Sequence, residues 1–596
     1  MATMLSPAFL SQGDSNRDSR LSRDEFDALA KKWFEAWDSK KTGKLDAGQI
    51  RAGLNSTSKF PEPGGGGGDM GGLAAMLQGP EGKRNGLASA MGIEFVYVHA
   101  DLEFDGRLLR DVAVRYKGNG TFMESRGSLK RSLKIDLNKY AKGQALGDVT
   151  KLTLQNNVTD ASWMNEVLSY RLFRDAGVPA PRTAYARVFV TVPGKFDRKY
   201  LGLYSLSENV DKQFAERNFG TKRGAIFKPV TPNLFADLGP DWSKYTQTYD
   251  PKTDLYDEQK QAVTELCRLV THAEDAEFAA RIGHMIDLPE FARYMAVTVW
   301  LSDLDGLLGL GQNVYLHLHP KTHLIQFIPW DQDHSFGQFP RGNQEQRDNM
   351  SIHHPSATQC RFLDRMFKVE AFKKLYLARM EEFSKTIFQP DRLARQVDEI
   401  APAIRPAVLE ESQSKVARFD KAVAGEILSG GGFGFFGGPG IKTIKPFAVA
   451  RTKSVSEQIA GTSDGQTVPG FGFPGGGQPP PGKPGGPEGF GIGMIFGGPL
   501  VEALDQNKDA AVSREEFTLG FTKLFKAWNT NQNGLLTQEQ LRAGIDKDLS
   551  PFKGGFPRFG PPPGGPGWPP GRPGEGGPPG APGGFPPPNF DQKTQQ

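Results

Sequence analysis

Cysteine is nearly missing: the chain holds 2 in 596 residues, Cys267 and Cys360. That excludes a disulfide framework, and two unpaired buried thiols are expected rather than one bridge. No run of about 18 apolar residues occurs, which excludes a transmembrane helix of ordinary length. Charge of one sign is lacking as well: 72 basic and 68 acidic residues leave a net +4. So small an excess implies neither a nucleic-acid partner nor binding to an anionic membrane surface. The N-terminus shows no basic segment followed by an apolar one, so no export leader is read in the sequence as given.

Glycine and proline are abundant instead, 72 and 44 residues, and they concentrate in three places. Residues 61–72, 430–498 and 551–596 carry the Gly/Pro-rich runs, the second of them surrounding a better-patterned piece at 443–461. Such sequence cannot bury enough apolar surface to offset its ordering entropy, so it reads as linker and disordered tail. The expected division is a module at 1–56, a Gly-rich linker at 57–90, and a globular block at 91–465 with a Gly/Phe-rich insertion at about 429–441. A second linker at 466–498, a second module at 499–548 and a tail at 549–596 complete it.

The two modules are copies of one another. Asp14 returns as Asp505, 491 positions on, and 17 of the following 41 positions are identical without a gap. Within the first copy, side-chain oxygens stand at loop positions 1, 3, 5, 9 and 12: Asp14, Asn16, Asp18, Ser22 and Glu25. Asp505, Asn507, Asp509, Ser513 and Glu516 repeat them. This is the EF-hand pattern, in which several oxygens and a bidentate Glu surround Ca²⁺. Ser19 and Ala510 replace the usual Gly at position 6, which predicts some strain in the turn. Each copy has a second loop, starting at Asp38 and Asn529, with Gln49 and Gln540 at position 12. These read as partners that complete the paired fold, without metal; the alternative is that the two copies pair with each other and bring the ends of the chain together.

The central block reads as strands, a helix and more strands, followed by a mainly helical half. Strands are expected at 94–104, 112–116, 128–137, 184–192 and 200–208, and a helix at 160–176. Helices are expected at 257–273, 289–302, 362–387 and 390–424. An acidic and aromatic hairpin lies between the second and third of these helices, carrying Asp303, Asp305, Asn313, Trp330, Asp331, Asp333 and Phe336.

The stretches RYKGNGTF, SLKRSLKIDL, NEVLSYRLFRDAGVPAPR, LGLYSLSENVD, DLDGLLGLGQNVYL, FIPWDQDHSFG and KPFAVARTKSVSEQIAG run in order across this block. Together they resemble the spore-coat protein H (CotH) kinase family. The resemblance implies an α+β fold class: a bilobal atypical protein-kinase-like core, here flanked by α-helical EF-hand pairs and Gly/Pro-rich disordered linkers. It also implies ATP-dependent phosphoryl transfer to a protein, on Ser or Thr, with Mg²⁺ or Mn²⁺. Such transfer needs a phosphate cation, metal ligands and a base near the acceptor hydroxyl. Lys130 or Lys134 would meet the phosphates, with Glu166 orienting the lysine; the family's lysine pair falls at Lys130 and Arg131, while strand alternation also admits Lys134. Asp305 would be the catalytic base, Asn313 and Asp331 metal ligands, and Asp333 their support. Glu208 and Lys228 match further nucleotide-site positions. Gly309 and Gly311 lengthen the spacing from Asp305 to Asn313 relative to ordinary kinases.

More ordinary readings compete for each residue. The lysines are also strand residues, Asp305 with Gly306 also a turn, and Gly118 with Gly120 a hairpin turn rather than a phosphate loop. His317, His319 and His323 invite a zinc site but read better as strand histidines. A second function class is a secreted Ca²⁺-binding adhesion or scaffold protein with an inactive kinase-like core. The acceptor protein is unidentified, autophosphorylation is one form of the activity, and an exported or cell-surface location is expected where Ca²⁺ is plentiful.

Overall fold

The computed structural model describes residues 2–39, 41–57, 94–125, 128–231, 233–356, 360–428, 440–468 and 492–549. The expected linker at 57–90, the insertion at 429–441, the linker at 466–498 and the tail at 549–596 lie wholly or largely outside these residues. One difference falls at the second linker: helix Ile492–Leu504 begins inside it.

Thirteen strands are present among the described residues. β1 (Arg20–Ser22) and β2 (Lys44–Asp46) belong to the first copy. β3 (Val98–Phe104), β4 (Arg107–Tyr116), β5 (Leu133–Asp136), β6 (Lys151–Gln155), β7 (Thr183–Val192) and β8 (Phe196–Ser207) follow, then β9 (Ala225–Phe227), β10 (Val314–Leu318) and β11 (Ile325–Pro329). β12 (Ala511–Ser513) and β13 (Leu535–Thr537) belong to the second copy.

A six-stranded sheet in the order β3-β4-β5-β6-β8-β7 forms the first half of the central block, every neighbouring pair antiparallel. Side chains alternate across it, as strand geometry requires. Leu109, Val112, Ile135, Leu152, Leu154 and Tyr204 pack on one face. Arg115, Lys134, Thr153 and Ser207 are in register across four strands and occupy the other face. β5 is shorter than expected and starts at Leu133, so Lys130 precedes it instead of sharing its alternation.

The second half is helical, with a three-stranded sheet β11-β10-β9 set into it. Helix Leu288–Trp300 is capped by Asp287 and carries Pro289 at its first turn. It lies at the centre of the largest apolar cluster, with Phe291, Met295, Val299 and Trp300 all buried. The long helix expected at 390–424 breaks at Ser412, whose extended backbone and side chain cap the next helix, Gln413–Ala424. The patterned piece at 443–461 becomes helix Ile444–Ile459, packed against the same core. Cys267 and Cys360 are buried and unpaired.

The two terminal copies do not pair their strands internally. β1 pairs with β13, Leu21 opposite Leu536, and β2 pairs with β12, Leu45 opposite Val512. The reason is spacing. Glu25 ends the first loop and Asp38 opens the second, so residues 26–37 between them lie in one helix, Arg23–Trp37. At 15 residues that helix is about 22 Å long. It holds β1 and β2 at opposite ends, out of reach of one another.

Candidate active site and terminal loops

Two loops build the site between the polar face of the sheet and the helical half. One runs from helix Leu288–Trp300 to β10, the other leaves β11. The β10–β11 hairpin sets Val314 against Pro329, and the Trp330 amide then donates to the Asn313 carbonyl at 3.1 Å. Asn313 and Asp331 both take left-handed backbone, φ 58° and 56°, as does Ser302 at 48°. Non-glycine residues there carry strain that the surrounding packing must hold, which is common at functional loops.

Asp305 is the hub. Its carboxylate accepts from Asn313 Nδ2 and Gln312 Nε2, each at 3.0 Å. The inserted glycines do not separate this pair. The amides of Gly309, Leu310 and Gly311 fold back onto the Gly306 carbonyl, so the extra length is taken up as a coil. A Cβ on Gly309 would stand 1.8 Å from the Leu304 carbonyl oxygen, so only glycine fits that coil.

Asp305, Asp333 and His334 bring ligand atoms within 4.8 Å of one another. Burial lifts the Asp305 carboxyl well above the usual range; His334 opposes the lift, while Asp333, Asp303 and Asp331 add to it. Asp333 shifts upward for the same first reason, although Thr159 donates to it at 2.7 Å. Several buried carboxylates with one histidine among them form a site a hard divalent cation fits, since its charge would relieve their repulsion. The expectation placed Asp331 first and Asp333 in support; Asp333 is the one drawn in beside Asp305. Asp331 faces the sheet instead, accepting from Gln155 Nε2 at 3.0 Å, while its amide donates to the Tyr170 hydroxyl at 2.9 Å.

Glu166 is buried at the start of helix Asn165–Asp175 and sits near the same glutamine, 3.5 Å from Gln155 Nε2. Burial pushes its carboxyl up to about 8, with Asp331 adding to the lift and Lys117 opposing it. Neither expected lysine is its partner. Lys130 forms a buried ion pair with Glu411 at 2.6 Å, between the rings of Trp163 and Tyr204. Gly202 makes room for that pair: a Cβ there would stand 2.6 Å from Glu411 Oε1 and 2.8 Å from Lys130 Cδ. Lys134 is on the polar face and has no anionic partner among the described residues. Burial, then Arg115, Lys151, Lys252 and Lys117, bring its ammonium down to about 8. Lys117 donates to Gln155 Oε1 at 2.6 Å and, like Lys228, approaches the Trp330 ring. Glu208 is taken up by Arg182 and Arg217 rather than facing the site.

Sequence reasoning missed Lys117, Glu124, Gln155, Thr159, Tyr170 and His334. The last lies inside the PWDQDHSFG stretch, where its place directly after Asp333 was the available signal. Glu124, on the short helix Gly120–Glu124, has its carboxyl raised to about 6 by burial, with His334 opposing the lift and Asp333 adding to it. The three chain-neighbour histidines do not converge. His317 stacks on Phe219 at 3.9 Å and meets Gln326, while His319 accepts the amides of Lys321 and Thr322.

A family model described as CotH kinase protein matches residues 114–427, more than half of the chain. The chain belongs to the CotH kinase protein family. Inner spore coat protein H of Bacillus subtilis (strain 168) is 25% identical over 319 residues, 52% of this chain and 82% of that protein. The CotH match encloses every acidic and basic residue of the site described above. It ends before helix Ile444–Ile459 and leaves both terminal copies outside.

Those copies have their own candidate sites. In the first, Asp14 accepts the amides of Asp18 and Ser19, at 3.1 and 2.8 Å. Glu25 folds back across the loop to Ser15 and Ser22. Burial opposes its ionisation, but the Ser22 and Ser15 donors outweigh that and hold the carboxyl down at about 2. Asp505 and Glu516 repeat these contacts with Ala510, Ser513 and Asn507. Asn16 and Asn507 each accept the amide of the Asp two residues on. Position 6 is left-handed in all four loops: Ser19 and Ala510 at φ 64°, Gly43 at 73° and Gly534 at 76°. Some charged contacts break the equivalence of the copies. Lys44 of the first donates to Asp509 of the second at 2.9 Å, whereas the position matching Lys44 is Leu535.

Proposed function

We propose that this CotH chain transfers the terminal phosphoryl group of ATP to a protein Ser or Thr. The observation that carries the reading is the meeting of two opposite environments across Gln155. On one side stands a carboxylate group, buried Asp305 with half-buried Asp331 and Asp333. On the other stands a cationic sheet face whose Lys134 has no anionic partner among the described residues. A polyphosphate chelating a divalent cation supplies the charge that each side needs.

Lys134 and Lys117, with Lys228, would hold the phosphates. Asp333, Asp331 and Asn313 would hold Mg²⁺ or Mn²⁺, whose charge offsets that of the transferring group. Asp305 would accept the proton of the attacking hydroxyl, and burial raises its basicity in the direction a general base requires. Glu166 and Gln155 would fix the position of Lys117. Loops 14–25 and 505–516 would bind Ca²⁺, supported by Asp14, Asp18 and Glu25 and by Asp505, Asp509 and Glu516. An exported or surface location fits that ion.

The test is labelled-ATP transfer with Mn²⁺, to the chain itself and to added protein, for wild type, Asp305→Asn and Asp333→Asn. Transfer in wild type and loss of about 100-fold or more in both variants is expected. Transfer that survives both changes removes the assignment. If ATP with Mn²⁺ also gives no thermal stabilisation, the scaffold reading replaces the kinase.

A further inference from the structure

The cross-pairing of the terminal copies leads beyond the kinase. A shift of 491 positions carries β1 onto β12 and β2 onto β13, so the β1–β13 pair maps onto the β12–β2 pair. The contact is therefore isologous: the same surface of each copy meets the other, as in a two-fold dimer, but within one chain.

The surface is built for that partner. Phe26 meets Phe521 and Phe525, each at 5.5 Å, and Trp528 at 5.8 Å. Phe517 meets Phe34 at 5.6 Å and Trp37 at 5.7 Å. All of these rings are buried. Polar contacts rim them: Lys44 to Asp509, Arg514 to Glu35 at 3.1 Å, and the Gly493 amide to Asn55 Oδ1 at 2.7 Å. Each loop that ends in Glu thus leans on a loop that ends in Gln from the opposite end of the chain. Loop 14–25 is backed by loop 529–540, and loop 505–516 by loop 38–49.

We propose that the two ends are halves of a single module, each the obligate partner of the other, so that the chain closes end to end. The ion affinity of each loop then depends on the strand donated from the far terminus. The second part rests on the Ca²⁺ reading above; the first does not.

Disulfide trapping in the full chain tests the closure. Arg20 is opposite Thr537 across the copies. A self-contained pair in the same register would set Arg20 opposite Asp46 instead. Arg20→Cys with Thr537→Cys is expected to oxidise to a bridge within one chain, and Arg20→Cys with Asp46→Cys to stay reduced. A 20–46 bridge, or a 20–537 bridge joining two chains, overturns the closure.

Calcium titration tests the dependence. In Glu516→Gln, where only loop 14–25 keeps its full ligand set, Leu536→Ala should weaken Ca²⁺ binding by about 10-fold and Leu45→Ala far less. In Glu25→Gln the two should exchange roles. An effect that follows the copy rather than the cross-pair overturns the dependence. Wild type that takes up no Ca²⁺ removes the calcium reading and the dependence with it, while the disulfide result still decides the closure.

Discussion

Two lysines four positions apart do different work, and their surroundings say which. Lys130 and Glu411 are a buried pair, and Lys130→Met leaves Glu411 with only Lys415 and the Leu203 amide, so it should destabilise the fold by about 1–3 kcal/mol. Lys134→Met removes a cation that has no partner to lose; its expected effect is about 10-fold or more on ATP affinity with the melting temperature nearly unchanged. Chemical denaturation beside nucleotide titration separates the two, and the opposite assignment would show as exchanged effects. Lys44 offers a second test at this scale. Its link to Asp509 puts a positive charge on loop 505–516 that loop 14–25 lacks. Lys44→Leu, copying Leu535, should tighten Ca²⁺ binding at loop 505–516 alone, read in the Glu25→Gln chain. His317 supplies the pH prediction. Burial brings its pKa down to about 4, below the ordinary 6.5. The unfolded chain therefore takes the proton first, and stability is full above pH 6.5 and lost as pH falls toward 4. The loss is about 3 kcal/mol at most, and melting curves of His317→Asn should lack that slope.

At the scale of elements, helix Ile444–Ile459 holds the acidic loop from behind. Arg451, fully buried, donates to the carbonyls of Val299, Trp300 and Met350, at 3.0, 3.3 and 2.6 Å. Those first two carbonyls end helix Leu288–Trp300, directly before Ser302, Asp303 and Asp305. Replacing Arg451 strips the Trp300 and Asp348 carbonyls of its guanidinium, while Val299 keeps the Ser302 amide and Met350 keeps Gln458 Nε2, so Arg451→Met should cost about 1–3 kcal/mol and reduce phosphoryl transfer. Arg451→Lys should rescue poorly, because an ammonium cannot span the carbonyls that the planar guanidinium reaches. Denaturant midpoints and transfer rates measured together check this; a neutral Arg451→Met would sink it. The helix was legible as a patterned piece between Gly-rich runs, but nothing in its pattern announced that its arginine points inward.

For the whole molecule, the shared aromatic core of the ends predicts how truncation behaves. A chain stopped at residue 468 keeps Phe9, Phe26, Trp33 and Trp37 but loses the rings from Phe517 to Trp528 that cover them. Such an apolar surface, left open, favours association. The 1–468 chain should bind a hydrophobic dye and self-associate, whereas a 94–468 chain should do neither. Equal dye binding by both would mean that the first copy closes on itself.

Sequence alone determined the repeat, the strand-rich first half and helical second half of the central block, and the acidic stretches that the CotH match encloses, but not β6, which carries Gln155, nor β9. These are local: alternation, capping residues and motif spacing are written in neighbouring positions. Even the cross-pairing of the ends was latent there, since one helix cannot bring the loops at its two tips together. Tertiary structure decided the rest. It put Lys130 with Glu411, 281 positions away, left Lys134 on the cationic face, and drew Asp333 rather than Asp331 beside Asp305. Which charges meet depends on where the backbone turns back, and that is set by packing across the whole chain rather than by any residue's neighbours in sequence.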